Sequence, residues 1–106
     1  MLDKDPILGE IVRRFVEAFH PDKIILFGSR ASGTGQHNSD YDLLVVVSRL
    51  AAPSRSLSLQ AHLLLSDMDI AKDIFFTTRD KFEVRKNVVN TLAEIAYNDG
   101  KELYAA

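Results

Sequence analysis

Two short apolar runs, separated by a polar segment that contains glycine, constrain the fold of this chain most strongly. The first run is Lys23–Phe27 (KIILF) and the second is Tyr41–Val47 (YDLLVVV). Runs this short and this apolar are typical of buried strands. The second run is apolar on both of its faces, so it needs cover on both sides of a sheet. We therefore predict that residues 41–47 form a central strand, and that residues 28–39 between the runs form a loop with one helical turn after Gly28.

Helical patterns surround these strands. Asp5 and Pro6 suit the cap and first position of a helix, and apolar residues then recur every three or four positions as far as Phe19. His20-Pro21 should end this helix. A shorter helix is predicted over residues 56–66.

The C-terminal half continues the alternation of strands and helices. Residues 73–78 predict a third strand, and Thr78 can cap the helical pattern that follows it. That pattern fits one long helix, or two helices joined near Lys86-Asn87. Residues 101–104 could add a brief edge strand. The order predicts an α/β fold, a mixed sheet of three or four strands packed with helices.

Composition limits the classes of protein to which the chain can belong. Its 106 residues predict a single domain, residues 1–106, because domains average about 150 residues. It has no cysteine and therefore no disulfide framework or thiolate metal site. A net charge of −2 argues against a dedicated nucleic-acid binder. No apolar run is long enough to span a membrane and no signal peptide is visible, so we expect a cytoplasmic protein.

The candidate chemistry lies where the two central strands meet the loop. Asp40 and Asp42 should project to the same side of the second strand, and two adjacent carboxylates repel each other unless a cation lies between them. Oxygen ligands of this kind suit Mg²⁺. Gly28, Ser29 and Arg30 follow the first strand, where backbone amides, a hydroxyl and a guanidinium can hold phosphate oxygens. A phosphate site beside a metal site is what phosphoryl or nucleotidyl transfer requires.

A third carboxylate would complete a site for two metal ions. Asp73 is the candidate because it would face Asp42 if the second and third strands are neighbours. Asp69 is the competitor, since it could share that face if the strand starts early. The sequence alone leaves this choice open. The basic group Arg79, Lys81, Arg85 and Lys86 is read as a solvated helix face, with an acidic partner or nucleic acid as the alternative.

The sequence resembles the polymerase-β-like nucleotidyltransferases. Gly28-Ser29, ten intervening residues and then Asp40-Tyr41-Asp42 match the signature of that superfamily, and both flanking strands fit it. The short length, the segment from Asp73 and the closing residues 96–104 look like its minimal nucleotidyltransferase (MNT) branch. The resemblance runs from about Ile7 to Tyr104. It implies the polymerase-β-like core as the fold.

The resemblance also implies roles for individual residues. Asp40 and Asp42 would bind two Mg²⁺ ions, and Asp73 would hold the catalytic metal and help to activate an attacking hydroxyl. Gly28 and Ser29 would hold the triphosphate of ATP, with Arg30 as a further phosphate contact. MNT proteins are similar to antitoxins that pair with HEPN-domain toxins, which implies transfer of AMP to a tyrosine of the toxin. The expected partner is therefore a HEPN-domain protein or another small helical protein.

Two further functions remain open from the sequence. The chain could be an inactive binding module that neutralises a partner by surface contact, for example through the apolar residues Leu63, Leu64 and Leu65. It could also adenylylate a small molecule, although the enzymes of that type are longer. The sequence assigns neither the acceptor nor the base preference. It also leaves open whether the chain forms homo- or hetero-oligomers.

Overall fold

A computed structural model describes residues 5–32 and 40–106; for Ser32 it describes the backbone only. The chain forms five helices and four strands within these residues. They are α1 (Pro6–Phe19), β1 (Lys23–Phe27), α2 (Ser29–Ser32), β2 (Tyr41–Val47), α3 (Ser54–Leu64), β3 (Lys72–Thr78), α4 (Arg79–Arg85), α5 (Leu92–Asp99) and β4 (Lys101–Ala105). None of the helices in these ranges is long and apolar enough to cross a membrane. Of the loop predicted over residues 28–39, the helical turn after Gly28 is α2, and residues 33–39 lie outside the described part of the chain.

The four strands form one mixed sheet in the order β3-β2-β1-β4. The β2 strand pairs antiparallel with β1 and parallel with β3, and β4 pairs antiparallel with β1 on the other side. The parallel pair requires a crossover, which residues 48–71 supply through α3. The prediction of an α/β fold with a central second strand is therefore confirmed.

Helices cover both faces of the sheet, as the apolar pattern of β2 requires. Alternate residues of β2, such as Leu43 and Val45, are buried in a large core with α1 and α3. The residues between them, Leu44 and Val46, are buried in a smaller core with α4 and α5, where Phe82 is 1% exposed. The sheet thus has an α1–α3 face and an α4–α5 face, and the position of a residue in its strand decides which face it meets.

Helix ends follow local capping chemistry. The Asp5 carboxylate accepts a hydrogen bond from the Ile7 amide at 3.0 Å, and His20 ends α1 in the left-handed region. The α3 helix begins at Ser54, two residues earlier than expected, directly after the extended Pro53. The segment after Thr78, for which the sequence allowed one long helix or two, forms two helices. They are separated because Asn90 has a positive φ of 71° and Thr91 caps α5.

Candidate active site

Three carboxylates meet at the start of the two parallel strands. Asp40 immediately precedes β2, Asp42 is its second residue and Asp73 is the second residue of β3. In the parallel register Asp42 pairs with Asp73, so the two side chains lie next to each other on the α4–α5 face. One carboxylate oxygen from each of Asp40, Asp42 and Asp73 lies within 4.8 Å of the other two. Asp69 does not belong to this group among the described residues.

The crowding of these acids changes the chemistry of the central one. Asp42 is half-buried, while Asp40 and Asp73 are exposed. Burial raises the pKa of the Asp42 carboxyl, and the negative charges of Asp73 and Asp40 raise that pKa further. A cation placed among the three carboxylates would remove this repulsion. Three hard oxygen donors at this spacing fit a Mg²⁺ ion that keeps water or substrate oxygens as its other ligands.

Gly28 closes the site on the side of β1. Phe27 is the register partner of Asp42, so the residue after Phe27 lies beside the Asp42 carboxylate. Gly28 adopts a φ of +78°, and a Cβ built on it would lie 3.2 Å from Asp42 Cγ and would overlap Asp42 Oδ2. A residue with a side chain is therefore excluded twice, by backbone strain and by the carboxylate. This close approach of glycine to the acid could not be read from the sequence, because it depends on the register of β1 and β2.

The two residues after Gly28 have separate positions. Ser29 begins the short helix α2 and is exposed. The Arg30 guanidinium lies over the ring of Tyr41, with 3.9 Å between Cζ and the ring centroid. The Tyr41 hydroxyl donates to Asp5 Oδ2 at 3.3 Å. Because Tyr41 belongs to the α1–α3 face, the structure holds Arg30 against the face opposite the carboxylates, and its contact with phosphate stays a prediction.

One predicted interaction surface needs correction. Leu63 is 63% exposed, but Leu65 is fully buried in the core and Leu64 is partly buried against it. The Leu65 backbone closes the last turn of α3, which turns its side chain inward. Leu63, Leu64 and Leu65 therefore do not form one exposed apolar patch. The large apolar side chains that α3 exposes are those of Leu59 and Leu63, one helical turn apart.

The fold and the carboxylate site together define a nucleotidyltransferase domain. The model of the family described as "Polymerase beta, Nucleotidyltransferase" matches residues 10–101. The chain belongs to this family, so its resemblance to the polymerase-β-like nucleotidyltransferases is confirmed. A search of curated proteins found no match.

Solved structures share the fold. One, described as a toxin–antitoxin with AMP-PNP, has a TM-score of 0.60 and 20% identity, and the match covers 92% of this chain and 73% of the other. A second is an MntA–HpeT toxin–antitoxin with two Asp→Glu substitutions, with a TM-score of 0.57, 20% identity and the same coverage. A third is an MntA–HpeT variant with a Tyr→Ala substitution. It has a TM-score of 0.57 and 23% identity, and the match covers 92% of this chain and 72% of the other. These identities are low, and the likeness concerns the fold.

Proposed function

We propose that this protein is a Mg²⁺-dependent nucleotidyltransferase that moves AMP from ATP to a partner protein and acts as the antitoxin of a toxin–antitoxin pair. The observation that carries the proposal is the convergence of Asp40, Asp42 and Asp73 within 4.8 Å beside the Gly28 turn. Membership of the nucleotidyltransferase family supports the reaction class. The toxin–antitoxin neighbours, one of them with AMP-PNP, support the partner and the nucleotide. The cytoplasm, with its ATP and Mg²⁺, is the proposed place of action.

The residues of the site would divide the work between metal and nucleotide. Asp40, Asp42 and Asp73 would hold two Mg²⁺ ions, which supply charge neutralisation at the phosphates and lower the pKa of the attacking hydroxyl. Gly28 leaves room for a phosphate because it has no side chain, and Ser29 offers a hydroxyl at the same turn. Arg30 is proposed as a further phosphate contact, for which it would have to leave the Tyr41 ring.

The acceptor would approach from the side of β3. Asp73 is exposed there, so the hydroxyl of a partner tyrosine can come close to its carboxylate. The new bond joins the tyrosine oxygen to the α-phosphorus of ATP. The bond from that phosphorus to the bridging oxygen breaks, pyrophosphate leaves and the phenolic proton passes to solvent. A HEPN-domain protein is the proposed acceptor.

The transfer can be tested with a HEPN-domain protein that forms a complex with this chain, incubated with the chain, ATP and Mg²⁺. Intact-mass spectrometry should show the partner heavier by whole AMP units. The Asp42→Asn variant should leave the partner mass unchanged. The Asp69→Asn variant is the matched control, because it removes a nearby exposed aspartate outside the carboxylate group, and it should modify the partner normally.

Two results would contradict the proposal. The first is a partner whose mass does not change with the wild-type protein. The second is an Asp42→Asn variant that modifies the partner as well as the wild type does. If Asp42→Asn still neutralised the toxin without modifying it, the protein would act by surface contact instead.

A further inference from the structure

A groove runs along the outer edge of β3 and reaches onto the α4–α5 face as far as Leu44 of β2. Its volume is about 420 Å³, and residues 74–77 of β3 all line it. Successive side chains of a strand point to opposite faces, so four consecutive residues can share one groove only if it runs along the edge of the strand. In the sheet order β3 is a terminal strand, bonded to β2 alone among the described residues. Its outward N–H and C=O groups therefore face the groove.

The two walls of the groove each carry an arginine. Arg55 comes from α3, which packs on the α1–α3 face, and Arg85 comes from the end of α4, which packs on the α4–α5 face. Both arginines are exposed. Within residues 5–32 and 40–106, neither side chain forms an ion pair with a carboxylate. The groove thus has a positive charge on both of its sides.

Apolar surface separates the two charges. Phe75 is 41% exposed and lines the groove together with Leu92 and Ala93. Its ring centroid lies 6.1 Å from that of Phe27, which supports it from the neighbouring part of the sheet. An open strand edge, an apolar floor and cationic walls are features that suit an extended peptide with acidic side chains.

We propose that an extended acidic segment of a partner protein adds to the open edge of β3 as a further strand. Two adjacent acidic residues of such a segment would point to opposite faces, one toward Arg55 and the other toward Arg85. A neighbouring apolar side chain would cover Phe75. The backbone of the segment would take up the outward hydrogen-bonding groups of β3.

The charges on the groove favour this occupant over two others. A second copy of this chain, docked edge to edge, would bring its own Arg55 and Arg85 against the first pair. A nucleic acid could offer phosphates to the arginines, but it has no peptide backbone to continue the sheet. An acidic peptide satisfies the walls and the strand edge together.

The position of the groove connects it to the carboxylate site. Phe75 is the next residue after Asp73 on the same face of β3. A segment bound along this edge would therefore hold its protein close to the three carboxylates. That the groove docks the acceptor rests on the proposed function, whereas the binding of an acidic segment does not.

Peptide binding tests the inference without any transfer reaction. The probe is a fluorescein-labelled peptide Val-Thr-Asp-Glu-Val-Thr-Val, titrated with the full chain in the absence of ATP and Mg²⁺ and followed by anisotropy. We expect binding that Arg55→Gln and Arg85→Gln each weaken about tenfold, since each removes one charged hydrogen bond. Lys101→Gln is the matched control because Lys101 is exposed on β4, at the opposite edge of the sheet, and it should bind like the wild type.

Two altered peptides examine the two parts of the recognition. Replacement of Asp-Glu by Asn-Gln should abolish binding, and so should N-methylation of every internal amide, which blocks strand addition through either edge of the peptide. The inference is overturned if either altered peptide binds as well as the probe, if the probe does not bind, or if Lys101→Gln weakens binding as much as Arg55→Gln. It is also overturned if an oligouridine RNA binds in an Arg55-dependent way and the peptide does not. If the peptide binds as expected but the intact-mass experiment shows no AMP transfer, the proposed function is refuted and the peptide site is not.

Discussion

Replacing Gly28 by alanine should reduce the stability of the protein and disturb its three-carboxylate site as well. The φ of +78° costs a residue with a side chain about 1–2 kcal/mol. The added Cβ would also overlap Asp42 Oδ2, and Asp42 Cγ lies only 3.2 Å away. Because β2 is buried on both sides, the carboxylate can yield more easily than the strand. We expect the Asp42 side chain to rotate away from Asp40 and Asp73.

Two measurements follow the two effects of Gly28→Ala. Urea denaturation should show a loss of about 1–2 kcal/mol in the free energy of unfolding, equivalent to roughly 5–10 °C in Tm. Isothermal titration should show Mg²⁺-ATP binding weakened about 10–100-fold, the usual cost of disturbing a group that positions metal ligands. The second measurement is made on protein that is still folded, so it reports on the site alone.

Gly9 supplies a control with the opposite sign. It lies inside α1, and a Cβ built on it meets nothing within 4 Å. Gly9→Ala should therefore stabilise the protein by about 0.5–1 kcal/mol and leave Mg²⁺-ATP binding unchanged. The reasoning is refuted if Gly28→Ala is as stable as the wild type, or if it loses stability but binds Mg²⁺-ATP normally.

Three further substitutions test the electrostatics and the core. The pKa of Asp42 is raised above its ordinary value of 3.8, so the metal-free protein loses stability as the pH rises above 3.8. In EDTA at about pH 7, Asp42→Asn should therefore have a higher Tm than the wild type. An equal or lower Tm would contradict this. Two arginines lower the pKa of Glu10 from 4.5 to about 2. The ionised Glu10 therefore contributes fully to the stability of the protein above pH 4.5, and this contribution is lost as the pH falls through 2. Glu10→Gln should be less stable at neutral pH, and its Tm should fall less steeply than that of the wild type as the pH is lowered across this range. Phe82 is 1% exposed beneath α5, so Phe82→Ala should lower the free energy of unfolding by about 3–5 kcal/mol in urea denaturation. A loss below about 1 kcal/mol would show instead that this core collapses around the cavity.

The strands and the general place of the site could be predicted because they depend on local patterns. The nearly continuous apolar run of residues 41–47 indicated a strand with two covered faces, and the structure places it between β3 and β1 in the sheet. The spacing of Asp40 and Asp42 indicated that they share a side, and the structure brings their oxygens together. Both inferences needed only the two-residue period of a strand.

Other features depend on which strands are neighbours, which no local pattern encodes. The choice between Asp73 and Asp69 as third member of the group required the parallel register of β2 and β3. The approach of Gly28 to Asp42 required the antiparallel register of β1 and β2. The division between α4 and α5 does have a local signal in the sequence: Thr91 and Glu94 have the spacing of a capping box, and the Glu94 amide donates to the Thr91 hydroxyl.

The arrangement of the three carboxylates depends on the parallel register of β2 and β3, and core packing holds that register in place. Ile74 and Phe76 are buried on the α1–α3 face, which turns Asp73 to the other side of β3. A slip of one residue would expose these apolar side chains and move Asp73 away from Asp42. A substitution that disturbs the packing of Ile74 or Phe76 therefore also disturbs the alignment of the acids. The three carboxylates can therefore lose their arrangement through a change in the core while all of them remain in the sequence.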